Sequence, residues 1–537
     1  MPRQRQQIRG TGSRFADAFL LEIIVPKLSS PTQAHAAPAF SDQLGSGQTL
    51  ALVLAAYFVI QVIVRFVLPH GLELDESEQV YVSQWLLPGY GAQPPFYNWL
   101  QHGAIQIFGI SIITLSGLKA LMLFLSYIFY YLAARQVLED KRLAVVAALG
   151  LLTIPQVSFE AQRDLSHTVA AIFGASLFLF TLLRVISRPS LQAFLLFGIA
   201  TGIGGITKYN FAVLPIAAGL AVLMDREMRQ TMLSWKLLPA AILALAIVTP
   251  HALWLVDNFG DASQSTLKKL GGDDAGLIGG IASGVGSLTI GFFSFTALTL
   301  IIFAAVYREH FKAIVRAKSR WTRLVGRILV LSLALIVLMI LFAGFENVRD
   351  RWLTPLLLAS PLYLALKVDA AKIPVEVGFK RLWGVAIVIM VLIPTALAVR
   401  ANMGRINGNY GYVNIPFAAL SKTVAEKAAG ANTVVVASDR QLAGNLHFSL
   451  PEQPVAVEPP PPGLTNRPLT AFDRVVFVWR TKDGSMPVAF DKQFSGYLLE
   501  QGITTTPQDM AIVGYPYQWG RPTDQYRFGY AVMDMPR

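Results

Sequence analysis

Residues 50–68, LALVLAAYFVIQVIVRFVL, run almost directly into Leu72-Glu-Leu-Asp-Glu-Ser-Glu78, and this juxtaposition decides the class of the chain. The first stretch is long enough to cross a hydrocarbon core, which takes about 20 residues of α-helix. The second sets Glu73, Asp75, Glu76 and Glu78 at the point where such a helix would leave the bilayer. Charge beside a membrane is costly and is kept where it has a task. The two segments together predict a membrane enzyme with acid chemistry at one surface.

Similar apolar runs recur near 48–67, 104–133, 143–159, 165–183, 191–207, 210–224, 237–255, 286–306, 328–344, 352–366 and 382–399, which predicts eleven spans. Composition agrees, with 54% hydrophobic and 15% charged residues against roughly 25% charged in a soluble domain. The predicted fold is an α-helical polytopic membrane protein. A net charge of +12 would suit nucleic acid if the charge were clustered on a soluble surface. Here Lys and Arg gather in alternate loops, most densely in 307–327, which holds seven basic residues and one acid. That asymmetry marks cytoplasmic loops; it excludes a nucleic-acid partner and predicts a cytoplasmic N-terminus. With no cysteine in the chain, disulfides, zinc-thiolate sites and thiol nucleophiles are excluded.

Residues 1–47 carry Arg3, Arg5, Arg9, Arg14 and Lys27, and Ala34-His-Ala36 imitates a signal-peptidase site. The apolar piece before it, Phe15 to Val25, is short and interrupted by Asp17 and Glu22, poor features for a signal peptide. A basic cytoplasmic arm is expected, its apolar piece suited to lie on the bilayer. Residues 48–399 form the predicted membrane domain. From 400 to 537 the long runs stop and short strand-like ones appear, Val434–Ala437, Val455–Val457 and Val475–Trp479, with Pro459 to Pro462 between them as a stiff linker. An odd number of spans puts this small α/β domain outside.

The acidic loop has no Lys or Arg of its own between Leu68 and Leu118, so it either takes basic partners from elsewhere or is simply solvated. It is followed by Gly89-Tyr-Gly-Ala-Gln-Pro-Pro-Phe-Tyr-Asn-Trp-Leu100, in which Gln93, Pro94 and Pro95 lead into aromatics suited to a membrane interface. Asp75-Glu76, the spacing to Pro94-Pro95, Phe108-Gly109, Thr207-Lys-Tyr209 and Arg349-Asp-Arg-Trp-Leu-Thr-Pro355 occur in order over most of residues 70–365. In this combination the chain resembles the polyprenyl-phosphate-sugar-dependent glycosyltransferases of the GT-C fold, which include protein O-mannosyltransferases and bacterial transferases of aminoarabinose or galacturonic acid to lipid A and core.

The resemblance implies a polyprenyl-phosphate sugar donor, a lipid or glycolipid acceptor, inversion at the sugar, and a site at the outer face of a bacterial inner membrane. It makes Asp75 the expected general base for an acceptor hydroxyl, with Glu76 beside it. For a phosphate acceptor, already ionised, Asp75 would orient it or stabilise the charge on the sugar ring. Basic residues on the outer side are then informative: Arg163, Lys208, Lys268, Lys269, Arg349 and Arg351. Lys208 and Tyr209 are expected at the donor phosphate. Arg349 and Arg351 could clamp it by paired hydrogen bonds or bond locally to Glu346 or Asp350. Gln93, Pro94 and Pro95 form the expected substrate loop.

In the family a second carboxylate stands where Asp164 does, orienting the acceptor or accompanying a metal; Asp164 also suits the cap of a helix beginning near Ser166. His102, His167 and His251 fall near span ends without the spacing of a metal motif and are expected as satisfied interfacial residues. A divalent metal is compatible with the carboxylates and not required by the sequence. The outer segment 257–286, with Lys268 and Lys269, could close over substrate or serve as a connector. The rival reading is a transporter or flippase for an anionic lipid-linked substrate; a structural subunit is the third.

Overall fold

Serine caps begin several of the long helices. Ser46 accepts a hydrogen bond from the Thr49 amide and starts Gly47–Val67; Ser111 and Ser319 do the same for Ile112–Arg135 and Arg320–Ala343. Gly344 (φ 69°) and Gly408 (φ 78°) take the left-handed conformation that closes Arg320–Ala343 and Glu376–Asn407. The computed structural model describes residues 43–260, 276–461, 464, 466–481, 486–503 and 507–535. Most of the expected basic arm, up to residue 42, and both Lys268 and Lys269 lie outside the described residues.

Among the described residues, seven helices are long and apolar enough to cross a membrane: Gly47–Val67, Ile112–Arg135, Ser166–Ser187, Leu237–Asp257, Ile278–Val306, Arg320–Ala343 and Glu376–Asn407. Lys141–Thr153 and Gln156–Arg163, bent by 76° at their junction, make an eighth if taken as one span. Helix length therefore does not reproduce the eleven expected spans. Leu191–Gly205 and Tyr209–Leu223 are apolar but short, and the 352–366 run breaks into Thr354–Leu357 and Ser360–Ala370. Interior packing explains the broken runs: Leu353, Leu356, Leu358 and Leu362 are fully buried, as are Ala144, Val145, Ala147 and Leu151 of the bent pair. A segment enclosed by its neighbours is as apolar as one facing lipid.

The C-terminal region holds a five-stranded sheet made of β1 (Thr433–Ala437), β2 (Val455–Val457), β3 (Arg474–Thr481), β4 (Asp509–Pro516) and β5 (Gln525–Asp534), in the order β2-β1-β3-β5-β4. Strands β1, β2 and β3 run parallel, with Val435 opposite Val455 and Val436 opposite Phe477, while β5 is antiparallel to both β3 and β4. Alternation along the strands gives two apolar faces. Val434, Val436, Val475, Phe477 and Trp479 pack with Phe490 and Phe494 on one of them. On the other, Val435, Val476, Val478 and Phe528 pack with Leu442 and Leu446 and with Tyr81 and Tyr90 from the first extramembrane segment.

Through those tyrosines the sheet region grips the acidic segment, which forms the helix Leu74–Val82. The helix Arg440–Ser449 lies against it so closely that a Cβ on Gly444 would sit 1.9 Å from the Ser77 carbonyl oxygen. At one end of the contact the Leu72 amide donates to Asn445 Oδ1 at 2.9 Å, and at the other Arg440 Nη1 donates to Glu78 Oε1 at 2.9 Å. Only glycine fits at position 444, since the clashing partner is backbone and cannot swing away. Gly444→Val is expected to destabilise the protein by about 1–3 kcal/mol through overpacking, read as a lower unfolding temperature in detergent, while Ala425→Val on an exposed position leaves it in place.

Candidate active site

Two carboxylates organise the start of the acidic helix. Asp164 Oδ1 accepts hydrogen bonds from the amides of Asp75 (3.0 Å) and Glu76 (3.3 Å), two of the donors that a helix start leaves without partners. Glu76 Oε2 accepts from the Glu73 amide at 3.3 Å. Asp164 is thus a cap, but for a helix far away in sequence; the helix that follows it, Ser166–Ser187, starts without a side-chain cap. To turn the Asp164 carboxylate toward residues 75 and 76 the chain takes φ 35° at Leu165, a conformation that costs a branched residue of order 1–3 kcal/mol.

Helical spacing then divides the acids. Asp75, Glu78, Gln79 and Val82 share one face and line a cavity of about 810 Å³. Glu76 points the other way and bonds Arg65 (3.1 Å) and Lys119 (3.1 Å), both set in long helices. Burial alone would raise the Glu76 carboxyl, but Lys119 and Arg65 outweigh it and hold the group down at about 2. Glu73 is tied to Arg400 at 2.5 Å. Among the described residues Asp75 has no such partner: burial raises its carboxyl, Arg351 and Lys208 oppose the rise, and Glu78 adds to it. Asp164 is raised as well, by burial and then by the Asp75 charge.

Opposite Asp75 the cavity wall carries Lys208, Tyr209, Asn210, Arg351 and Trp352. Lys208 Nζ donates to Thr168 Oγ1 at 2.9 Å, and burial, followed by the Arg351 charge, pushes its ammonium down to about 7. Asp350 does not neutralise its neighbour; it accepts from Gln156 Nε2 (2.8 Å) and the Arg351 amide (2.7 Å). Among the described residues the Arg351 guanidinium forms no ion pair. Asn210 Nδ2 donates to the Trp352 carbonyl at 2.5 Å and so joins the two basic segments. Tyr209 stacks on His251 at 5.7 Å. Tyr209 Oη, Asn210 Oδ1 and His167 Nδ1 are buried without a hydrogen-bond partner among the described residues.

The structure therefore brings Asp75, Gln93, Lys208, Tyr209 and Arg351 together on one cavity. Pro94 and Pro95 are buried beside it, Pro95 at the start of Phe96–Phe108, and Arg349 is exposed and off the cavity wall. Arg163 pairs with Glu160 at 2.7 Å. His102 and His251 bond the Ser83 and Pro88 carbonyls, while His167 joins the wall. Residues not anticipated as cavity lining include Asn210, Thr168, Trp352 and above all Arg440, whose pairing with Glu78 across 362 positions leaves no local signal. Among the described residues no three of His, Asp and Glu gather as a metal-binding set.

The remaining wall is apolar. Val213, Ile216, Leu335, Leu338, Met339 and Phe342 line it, from Tyr209–Leu223 and Arg320–Ala343. Ile216 and Phe342 are 53% and 84% exposed, so the cavity opens between two apolar helices on the side where lipid would lie. A polar end with cations and carboxylates joined to an apolar end suits an amphiphile carrying an anionic head.

Residues 92–254 match the family model described as dolichyl-phosphate-mannose-protein mannosyltransferase. The chain is 42% identical over 493 residues to lipopolysaccharide core galacturonosyltransferase RgtA of Rhizobium johnstonii, covering 90% of this chain and 97% of the relative. It is also 42% identical, over 486 residues, to lipopolysaccharide core galacturonosyltransferase RgtB of the same organism, with the same coverage. In fold it is similar to ArnT from Cupriavidus metallidurans bound to undecaprenyl phosphate, with a TM-score of 0.58 and 14% identity over 91% of this chain and 98% of that one.

The two kinds of charge separate in a stability measurement. Removing Glu76 as Glu76→Ala strands Lys119 and Arg65 and is expected to cost about 3–5 kcal/mol, whereas Arg351→Ala removes a cation with no ion pair and leaves the unfolding transition close to that of the unaltered protein.

Proposed function

Because the chain belongs to the GT-C glycosyltransferase superfamily, in the family of the lipopolysaccharide core galacturonosyltransferases, we propose that it moves galacturonic acid from a polyprenyl-phosphate donor to the core region of lipopolysaccharide. The observation that carries the reading is the cavity itself, in which Asp75 faces Lys208 and Arg351 and an apolar wall opens to the side. Lys208 and Arg351 hold the donor phosphate, with Tyr209 and Gln93 beside it, and the isoprenoid chain leaves past Val213, Ile216 and Phe342.

The reaction is a single displacement with inversion. An acceptor hydroxyl attacks the anomeric carbon and gives its proton to Asp75 as the new C–O bond forms. The bond from the anomeric carbon to the phosphate oxygen breaks, and its electron pair leaves on the polyprenyl phosphate, where Lys208 and Arg351 balance the growing charge. Asp164 positions Asp75 through the helix start and orients the acceptor. Glu76 anchors the helix to Arg65 and Lys119 and does not meet the substrate.

The same cavity supports the orientation. Asp75, Lys208 and Arg351 follow or precede different apolar runs and Thr168 stands near the start of another, and all would reach one membrane face if each of the eleven runs crosses, short and broken ones included. That topology places residues 1–47 in the cytoplasm, 48–399 in the bacterial inner membrane and 400–537 in the periplasm.

Labelled polyprenyl-phosphate galacturonic acid incubated with the purified protein and a lipopolysaccharide core acceptor should yield labelled acceptor. Asp75→Asn should lower kcat by about 10²–10⁴-fold; unchanged kcat would remove Asp75 from the mechanism. A base must be ionised to work, and burial raises this one, so the rate should fall with decreasing pH through a group titrating above the usual carboxylate range. Arg351→Ala, which removes the leading opposing charge, should move that limb to higher pH at saturating donor. The orientation is tested by introducing single cysteines into a chain that has none: Glu426→Cys should react with an impermeant maleimide from the periplasm, and Lys312→Cys only after the membrane is breached.

A further inference from the structure

The cavity wall carries a third cation, Arg440, besides the Lys208 and Arg351 assigned to the phosphate. Lys208 and Arg351 both act electrostatically on Asp75, near the start of the acidic helix. Glu78 is three residues further along the same face, and Arg440, also in the cavity wall, bonds it at 2.9 Å. About 4.5 Å of helix axis separates Asp75 from Glu78, whose partner Arg440 is a third cation supplied by the C-terminal region. A pyranose uronic acid joined to phosphate carries two anions of its own, one on the anomeric oxygen next to the reacting carbon and the other on C5, across the ring oxygen from that carbon.

Arg440 is held for such a role. It is the first residue of Arg440–Ser449, whose cap Asp439 accepts from the Leu442 amide (3.0 Å) and is itself paired with Arg480 at 2.8 Å. Docking of that helix rests further along it, on Gly444 against Ser77 and Asn445 against Leu72. The Arg440–Glu78 pair is about one-third exposed on each side, and pairs so exposed contribute little to stability. Glu78 takes one bond from Nη1, and a guanidinium has further donors arranged to receive a carboxylate in paired fashion.

We propose that Arg440 is the residue that selects the sugar, binding the uronic carboxylate of the donor, and that Glu78 occupies its guanidinium until the donor arrives. This rests on the uronic-acid reading given above and identifies the part of the site that enforces it. Glu78, more than a third exposed, turns to solvent when the substrate carboxylate takes its place.

The test compares two donors on the full-length protein in nanodiscs: polyprenyl-phosphate galacturonic acid and polyprenyl-phosphate galactose, identical except that the carboxylate is replaced by a neutral hydroxymethyl group. The unaltered protein should prefer the uronate. In Arg440→Met the ratio of kcat/KM for uronate over hexose should fall at least tenfold, through the donor KM, with Arg440→Lys recovering part of it. An equal loss for both donors, an unchanged ratio, or a rise confined to the acceptor KM would overturn the assignment. If the unaltered protein transfers the hexose and not the uronate, the uronic-acid reading fails first, and that result is distinct because it needs no variant. Should Arg440→Met not fold, Arg440→Gln is read by the same ratio.

Discussion

One hydrogen-bonded start, the carboxylate of Asp164 receiving the amides of Asp75 and Glu76, sets the position on which the rest of the cavity depends. The proposed reaction needs the Asp75 side chain to face inward while Glu76, its immediate neighbour, faces the membrane helices. A helix does this automatically, because adjacent residues differ by about 100° around the axis; the cost is that its first amides need acceptors. Asp164 meets that need from another part of the chain, and Leu165 takes a left-handed conformation to allow it. The charges on the outward side complete the anchoring: Arg65 and Lys119 on Glu76, Arg400 on Glu73.

The acidic helix is held from two sides by parts of the protein with different physical character. Toward the membrane it is fastened by buried ion pairs to long apolar helices. Away from the membrane it is fastened by close packing, with Gly444 on Ser77 and Tyr81 in the apolar face of the sheet. The sheet region is thus a wall of the cavity as well as an appendage of the chain, which is how a residue as late as Arg440 reaches the same space as Asp75.

What could be read in the sequence follows from how local each signal is. The acidic segment beside a span, the lysine and tyrosine at 208 and 209, and the basic Arg351 before an apolar run are all anomalies within a few residues, and the structure places them on one cavity. The strands at 433–437, 455–457 and 474–481 were legible from β-branched runs between turn residues. The count of eleven spans rests on hydropathy, which reports whether a segment avoids water and does not say whether lipid or protein surrounds it; helix length does not reproduce that count, and Leu353, Leu356, Leu358 and Leu362 are buried among their neighbours. Asp164 was legible as a cap, but the local rule assigned it to the helix that follows. Arg440 had no signature, since a pairing between residues 78 and 440 exists only in three dimensions.

The apolar gap bounded by Ile216 and Phe342 has a kinetic consequence for the proposed reaction. A donor that slides in sideways never leaves its leaflet, so the encounter is a search in two dimensions and the spent carrier departs by the same sideways path. Turnover would then follow the mole fraction of charged carrier in the bilayer, and diluting the preparation with buffer would leave it untouched while diluting it with phospholipid would slow it.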